Sequence, residues 1–316
     1  MPEFEKIAPA RIYAVIVLYK LAAKDSVSYQ TLQASIDHAC NKAFTKISFY
    51  DNTPGNPASG DLPADIRWES FGENRGLAVP YNDAIELAQE EGFDWLLTLD
   101  QDTSLPIDFI SKLSSTIEFV TPLSRIAAIV PRIYDKNRLI SPNGLLYDIF
   151  PTFLPDEFTG VSLMGSTSAI NSASTVRISA LRAVGGYDPR FPLDYCDAVM
   201  YHRLNKANFR VFVAGQIRVE HELSVLDMKR RVTPQRYESI LGAESAFWDE
   251  CMGFVAHISL LLRYCHRIFY KLWQTGGSLS YGKANLRFFF RRVLYSRSHR
   301  RKLWDQEVKR NFTSSS

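Results

Sequence analysis

The chain has 316 residues, 46% apolar and 22% charged, the balance of a globular protein with a sizeable core; a disordered chain is excluded. Its four cysteines, Cys40, Cys196, Cys251 and Cys265, show no CxxC spacing, which argues against a disulfide framework or a thiolate zinc site and for a reducing, cytoplasmic compartment. The opening MPEFEKIAPARIYAVIVLYK lacks the basic start and small-residue cleavage site of a signal peptide, and no run of about 18 apolar residues is present to cross a membrane.

In chain order, IYAVIVLY (12–19) is a short β-branched run bounded by charge and predicts a fully buried strand. SYQTLQASIDHACN (28–41) has helical spacing, and KISFYDN (46–52) is a second strand ending in Asp-Asn. The segment 53–65 is dense in Pro, Gly, Asn and Asp and predicts a loop. IRWESF (66–71) predicts a third strand, and 77–92 a helix that admits Pro80 in its first turn and stops at Gly92. WLLTL (95–99) predicts a fourth strand, 106–120 a helix opened by proline, and IAAIVPRI (126–133) a fifth strand. After about residue 135 the alternation fades. A helix is expected within 171–188, ending at Gly185-Gly186, another over 194–208, and one or two strands over 209–222.

Beyond about residue 226 the pattern is helical, aromatic and basic. From Arg263 to Arg310 there are 13 Lys and Arg against two acids, Asp305 and Glu307, so this stretch carries +11 of a net +3 and the remainder about −8. A basic tail on an acidic body suggests a polyanionic partner. FVAHISLLLRYCHRIFYKLW (254–273) and LRFFFRRVLYSRSHRRKLW (286–304) read as basic amphipathic helices suited to an anionic membrane surface, or as a helical cap on the core with its arginines solvated or used in a homodimer. No RNA- or DNA-binding motif accompanies the charge, so nucleic acid is not the expected partner.

Strand-helix alternation predicts an α/β fold with a mostly parallel sheet and helices on both faces. Ligands of such sheets bind beyond the carboxyl ends of the strands. Asp100 and Asp102 stand at such an end. Two carboxylates there suit a hard divalent ion shared with substrate phosphates, or a surface turn. Asp51 and Asn52 end another strand, where they could accept hydrogen bonds from a nucleobase or ribose, or simply start a turn. Asn74, Gly76 and Asn82 surround a helix start, and Gly76 would let backbone approach a ligand. Asp194 and Asp197, three apart, share one helix face; they either oppose the helix dipole or supply a general base. His221 follows a strand between Glu220 and Glu222. Arg230, Arg231 and Arg236 either clamp phosphate or form a solvated helix face.

Taken in order, the segments VIVLY, FYDNTP, ENRGLAVPYNDAI, WLLTLDQDT, VGGYDPRFPLDYCDAVMYHRL and VEHELS resemble the family 2 glycosyltransferases, above all the rhamnosyltransferase-like members that build bacterial cell-surface polysaccharides. The likeness covers roughly residues 11–225. It implies a GT-A fold, a Rossmann-like nucleotide-binding part over about 1–135 and an acceptor-side part over about 136–225, with the helical basic extension (226–316) behind. It also implies a dTDP- or UDP-linked sugar donor and a divalent ion, Mg²⁺ or Mn²⁺. By resemblance, Val17 and Tyr19 lie at the strand end that contacts the base, Asp51 with Asn52 beside it matches the acid that reads uracil or thymine, and Asn74 and Gly76 belong to the loop near the nucleotide. Asp100, Gln101 and Asp102 match the DxD-type segment, with Asp102 as direct metal ligand, Asp100 toward ribose or metal, and His221 completing the metal site. Asp197 matches the catalytic base, and Asp194 and Arg203 fall on the acceptor side. The chain departs from the family pattern at Lys20, where Asn is usual, at Cys196, where Glu precedes the base, and at Val199, two residues after it.

One displacement by one base implies inversion at the anomeric carbon, with no second carboxylate as nucleophile. The acceptor implied is a glycan or a polyprenyl-diphosphate-linked sugar at the inner face of the cell membrane. Two rivals stand beside this. LDQDTS also resembles the DxDxT opening of aspartyl-phosphate phosphatases, with Asp100 as nucleophile, although that motif normally sits on a first strand. A non-catalytic membrane-surface scaffold is the other. A P-loop NTPase is excluded, since no GxxxxGK[ST] occurs.

Overall fold

The computed structural model describes residues 10–39, 44–55, 62–146, 150–162, 167–221, 232–274 and 279–312. The first part alternates as expected: β1 (Arg11–Leu18), α1 (Val27–His38), β2 (Phe44–Asp51), β3 (Arg67–Ser70), α2 (Ala78–Glu90), β4 (Trp95–Asp100), α3 (Phe109–Val120) and β5 (Ile126–Asp135). Helix α1 starts where the Ser26 side chain accepts a hydrogen bond from the Tyr29 N–H, one of the amides a helix start leaves unpaired. Then follow β6 (Arg138–Ser141), the hairpin β7 (Asn143–Leu146) and β8 (Phe150–Phe153), β9 (Gly160–Val161), β10 (Ser174–Arg177), α4 (Ile178–Ala183), α5 (Cys196–Lys206) and β11 (Arg210–Glu220).

The main sheet runs β3-β2-β1-β4-β10-β5-β11-β9, with β6 on β5. Strands β3, β2, β1 and β4 pair in parallel, and β11 pairs in parallel with β5. Between them β10 runs antiparallel to both β4 and β5, so those two point the same way. The sheet is thus mostly parallel. Side chains alternate across it: Ile12, Ala14, Ile16 and Leu18 pack with α1 and α3, whereas Tyr13, Val15 and Val17 pack with α2, α4 and α5. Both faces are covered, which is why the early strands read as continuous apolar runs.

Strand β10 was not expected from sequence, where 171–188 reads as a helix alone. Ser-Thr-Val-Arg offers little apolar periodicity, yet Ser174, Thr175 and Val176 are buried in mid-sheet. Hydrogen bonding makes this tolerable: the Thr98 hydroxyl donates to the carbonyls of Asn171 (2.6 Å) and Ser174 (3.2 Å), and the Ser174 hydroxyl pairs with that of Tyr201 at 2.9 Å. Where one or two strands were expected there is one long strand, β11, whose register against β5 slips between Ala214 and Arg218. The slip bends its end inward, so that Glu220 bridges Ser104 beyond β4 and the His221 N–H donates to the Tyr134 carbonyl at 2.9 Å.

The C-terminal helices are α6 (Pro234–Cys251), α7 (Phe254–Gln274), α8 (Leu279–Leu294) and α9 (Arg297–Phe312). Thr233 caps α6, with proline in its first turn. They enclose a third core of Tyr237, Leu241, Phe247, Trp248, Leu260, Tyr264, Phe288 and Trp304, joined to the sheet domain through Phe191 and Val199. Arginines from the later helices turn inward onto the acids of α6. Arg267 takes Glu244 at 2.5 Å, Arg292 and Arg300 share Asp249 at 2.8 and 2.7 Å, and Arg301 takes Glu250 at 3.0 Å. The Trp304 indole N–H donates to the Arg190 carbonyl at 2.7 Å, tying the last helix to the loop before α5.

Candidate active site

The carboxyl ends of β1, β2 and β4 lie side by side, with Val17 in register with Tyr50 and Asp100, and Leu18 with Asp51. Val17 and Asp51 are buried there, while Tyr19 projects to solvent. The Gln101 side-chain oxygen accepts from the Tyr19 N–H at 2.8 Å, locking the β1 exit to the β4 exit. From α1 and its cap, the Ser26 hydroxyl donates to the Gln101 carbonyl at 2.9 Å and the Ser28 hydroxyl to the Asp100 carbonyl. The Ser28 hydroxyl also accepts from the Thr103 N–H at 2.9 Å. The turn that carries both carboxylates is therefore held from outside.

The Asp51 side chain accepts from the Thr53 N–H at 2.7 Å. Asn52 has both ends of its amide engaged: it donates to the Gly76 carbonyl at 2.6 Å and accepts from the Arg75 N–H at 3.2 Å. Asn74 accepts from the Gly76 N–H at 2.9 Å. Gly76 has φ of +70°, and a Cβ there would stand 2.3 Å from the Pro192 carbonyl oxygen. Only glycine allows that approach, and it lets the N–H groups of Leu77 and Ala78 donate to Pro192 at 2.5 and 3.2 Å. Residues 74–78 are thus pinned between β2 and the segment leading into α5.

Asp100, Asp102 and His221 come together from two strands 120 positions apart in sequence. His221 Nε2 lies 3.7 Å from Asp100 Oδ2, and Nδ1 lies 3.6 Å from Asp102 Oδ1. The histidine is 6% exposed, Asp100 31% and Asp102 57%, so the group opens to solvent on its carboxylate side. Ser172, just before β10, donates its hydroxyl to Asp100 and stands 3.4 Å from His221 Nε2. Sequence reasoning missed it because the strand it precedes was missed. Among the described residues no three His, Cys, Asp or Glu side chains are gathered tightly enough to hold a metal ion as they stand. The donor types fit one nonetheless: two carboxylates face an imidazole whose buried Nδ1 has no hydrogen-bond partner.

Asp197 lies in the first turn of α5, after Tyr195 in a left-handed conformation (φ 61°). Burial pushes its carboxyl up to about 7; the Ala198 N–H, bonded at 2.7 Å, opposes this, and the like charges of Asp100 and Asp194 add to it. Among the described residues no cation is a main influence on it. Asp194 is different: Arg236 of α6 grips both of its oxygens, one at 2.6 Å. Arg203 turns to Asp188 at 2.5 Å, which Arg190 also holds at 2.8 Å. Burial would raise the Asp188 carboxyl, but Arg190 and Arg203 outweigh it and hold it below the usual range. Arg230 and Arg231 lie outside the described residues, as does Glu222.

No family model matches the chain. It is 26% identical over 228 residues to the dTDP-rhamnosyl transferase RfbF of Shigella flexneri, covering 70% of this chain and 72% of that one. Among solved structures it resembles GalNAc-T7, determined with UDP, GalNAc and Mn²⁺, with a TM-score of 0.54 at 13% identity, covering 97% of this chain. It spans 59% of that longer chain. Residues 1–349 of S. aureus TarS give a TM-score of 0.53 at 11% identity, covering 95% of this chain and 89% of that one. Likeness at these identities speaks for the fold; the kinship in sequence speaks for the chemistry. Together they make this chain a transferase enzyme of GT-A fold, a glycosyltransferase similar to those of family 2.

Proposed function

We propose that the chain transfers a hexose, rhamnose-like or galactose-like, from a dTDP- or UDP-sugar to a lipid-linked or polysaccharide acceptor, with inversion and with the help of a divalent ion. The observation that carries this reading is Asp197: a carboxylate raised to about 7, with no cation of the described residues among its main influences, in the first turn of α5 and near enough to Asp100 of the Asp100–Asp102–His221 group to feel its charge. A base is most effective when its pKa lies near the working pH. Asp197 takes the proton of the acceptor hydroxyl as that oxygen attacks the anomeric carbon. The nucleoside diphosphate leaves from the opposite face.

The donor lies along the carboxyl edge. Val17, Tyr19 and Asp51 flank the base. Asn52, Asn74 and Gly76 shape the loop that closes over the nucleotide, and Asp100 with Gln101 fixes the diphosphate end. Asp102, His221 and Asp100 would hold Mg²⁺ or Mn²⁺, which supplies charge neutralisation for the departing diphosphate, an effect of several kcal/mol. Ser172 keeps Asp100 oriented toward that position. On the acceptor side Asp194 and Arg203 set the shape of the α5 entrance through their arginine and aspartate partners. Residues 1–225 make up the catalytic domain in this reading, and 226–316 the extension that brings it to the inner membrane surface.

Calorimetric titration with dTDP and with UDP, each with and without Mn²⁺, tests the donor half. Metal-dependent binding that Asp102→Ala removes is the expected result, and the preferred base narrows the sugar. Binding of neither nucleotide under any metal would overturn it in favour of the phosphatase or the scaffold.

A further inference from the structure

The charge of the C-terminal helices suggests electrostatic attraction to a membrane, but the structure spends much of that charge internally. Arg267, Arg292, Arg300 and Arg301 are committed to Glu244, Asp249 and Glu250, and Arg287 pairs with Glu238 at 2.7 Å. Much of what α7 and α8 leave outside is apolar. On α7, Ile258, Leu262 and Phe269 are 46–74% exposed at spacings of four and seven, one stripe of a helix. On α8, Leu286, Phe290 and Val293 are 43–55% exposed at spacings of four and three. The opposite sides of the same helices, with Leu260, Tyr264 and Phe288, fill the third core. The two helices pack along each other, and each keeps its own exposed apolar stripe.

We infer that this α7–α8 face docks by insertion into the interfacial layer of an anionic lipid bilayer, with apolar burial rather than the basic tail as its main hold. The occupant follows from charge. Neither helix contains an Asp or Glu, while each carries Lys and Arg. A second copy laid face to face would set cation against cation with no acid to answer it. A bilayer supplies an apolar layer for the stripes and anionic headgroups for exposed cations such as Lys283. Among the described residues no helix is long and apolar enough to cross a membrane, so the face lies in the surface layer. The inference rests on the membrane part of the proposed function and is independent of its chemistry.

Flotation of the full chain with vesicles tests it, using pure phosphatidylcholine and a mixture with phosphatidylglycerol, at low and at about 0.5 M salt, where exposed charges are largely screened. Wild type should float with the mixed vesicles and keep most of its binding in high salt. Ile258→Ser/Leu262→Ser/Phe290→Ser should lower the bound fraction on the order of tenfold. The same variant should keep its circular dichroism, its melting temperature and its transfer to a water-soluble acceptor. As a second probe, a polarity-sensitive dye on Leu262→Cys should shift to the blue with vesicles. Binding lost in high salt, or a variant that floats as well as wild type, would overturn the inference. So would a solution dimer that the triple variant splits, since a second copy would then cover the face. Vesicle binding without any sugar transfer would leave this inference standing and sink the enzymatic reading alone.

Discussion

Asp197 and Asp249 are two aspartates taken largely out of water, and the protein treats them in opposite ways. Asp249, 3% exposed, lies between Arg292 and Arg300, and both of its carboxylate oxygens accept hydrogen bonds from them. Asp197 has a backbone N–H and two like-charged neighbours. In the helical unit the cost of burial is offset by pairing, and the result is rigidity. At the sheet edge it is left standing, and the result is a carboxylate that wants a proton. In the proposed reading, the difference separates the region built to hold from the one built to react.

The largest expected effect falls on the reactive side. Asp197→Asn should lower the turnover rate by about 10²–10⁴ or more while leaving nucleotide binding nearly intact. A parallel loss of nucleotide affinity in the titration would deny it the part of base. The paired side should show the opposite pattern. Asp249→Ala strands Arg292, which is 1% exposed, and should cost about 3–5 kcal/mol in chemical denaturation; a near-neutral result would mean the helical unit does not depend on that pair.

Gly76→Ala comes next. The strain of φ +70° and the clash with Pro192 should cost about 1–3 kcal/mol and raise the KM for the donor, with turnover less affected. The pH dependence then sharpens the contrast. With its folded pKa raised to about 7 from an ordinary 3.8, Asp197 binds protons more tightly in the folded chain than in the unfolded one. Stability should therefore fall as pH rises from about 4 to about 7, whereas kcat/KM should climb toward pH 7 as the carboxylate forms. Asp197→Asn should flatten that stability profile and raise the melting temperature at neutral pH. An unchanged profile would show that the raised pKa is not realised. The smallest effect belongs to Arg236→Gln, about 1 kcal/mol in stability for a partly exposed pair, with a few-fold change in acceptor KM.

Much of the sheet edge was legible in the sequence because parallel strands buried on both faces announce themselves as apolar runs, and their ends carry the polar residues. That Asp100 and Asp102 would meet His221 came from resemblance, since no local pattern links β4 to β11. The register slip that bends β11 inward has no signature in residue type. Strand β10 was invisible because its polar residues are buried without apolar periodicity, and the partner of the Ser174 hydroxyl, Tyr201, lies 27 positions on. The tail was legible as helical, basic and amphipathic. The destination of its arginines was not, because their acids, Glu244, Asp249 and Glu250, lie on α6, where they read as ordinary surface residues.

The bond from Trp304 to the Arg190 carbonyl has a consequence for how the molecule is made. Arg190 stands two residues before Pro192, the carbonyl on which the glycine loop at 76 leans. A chain still on the ribosome can form its first strands early, but the brace behind that loop waits for Trp304, 114 positions after Arg190. The glycine loop is therefore braced late in synthesis, and a chain cut short before α9 should yield a folded sheet with that loop unbraced.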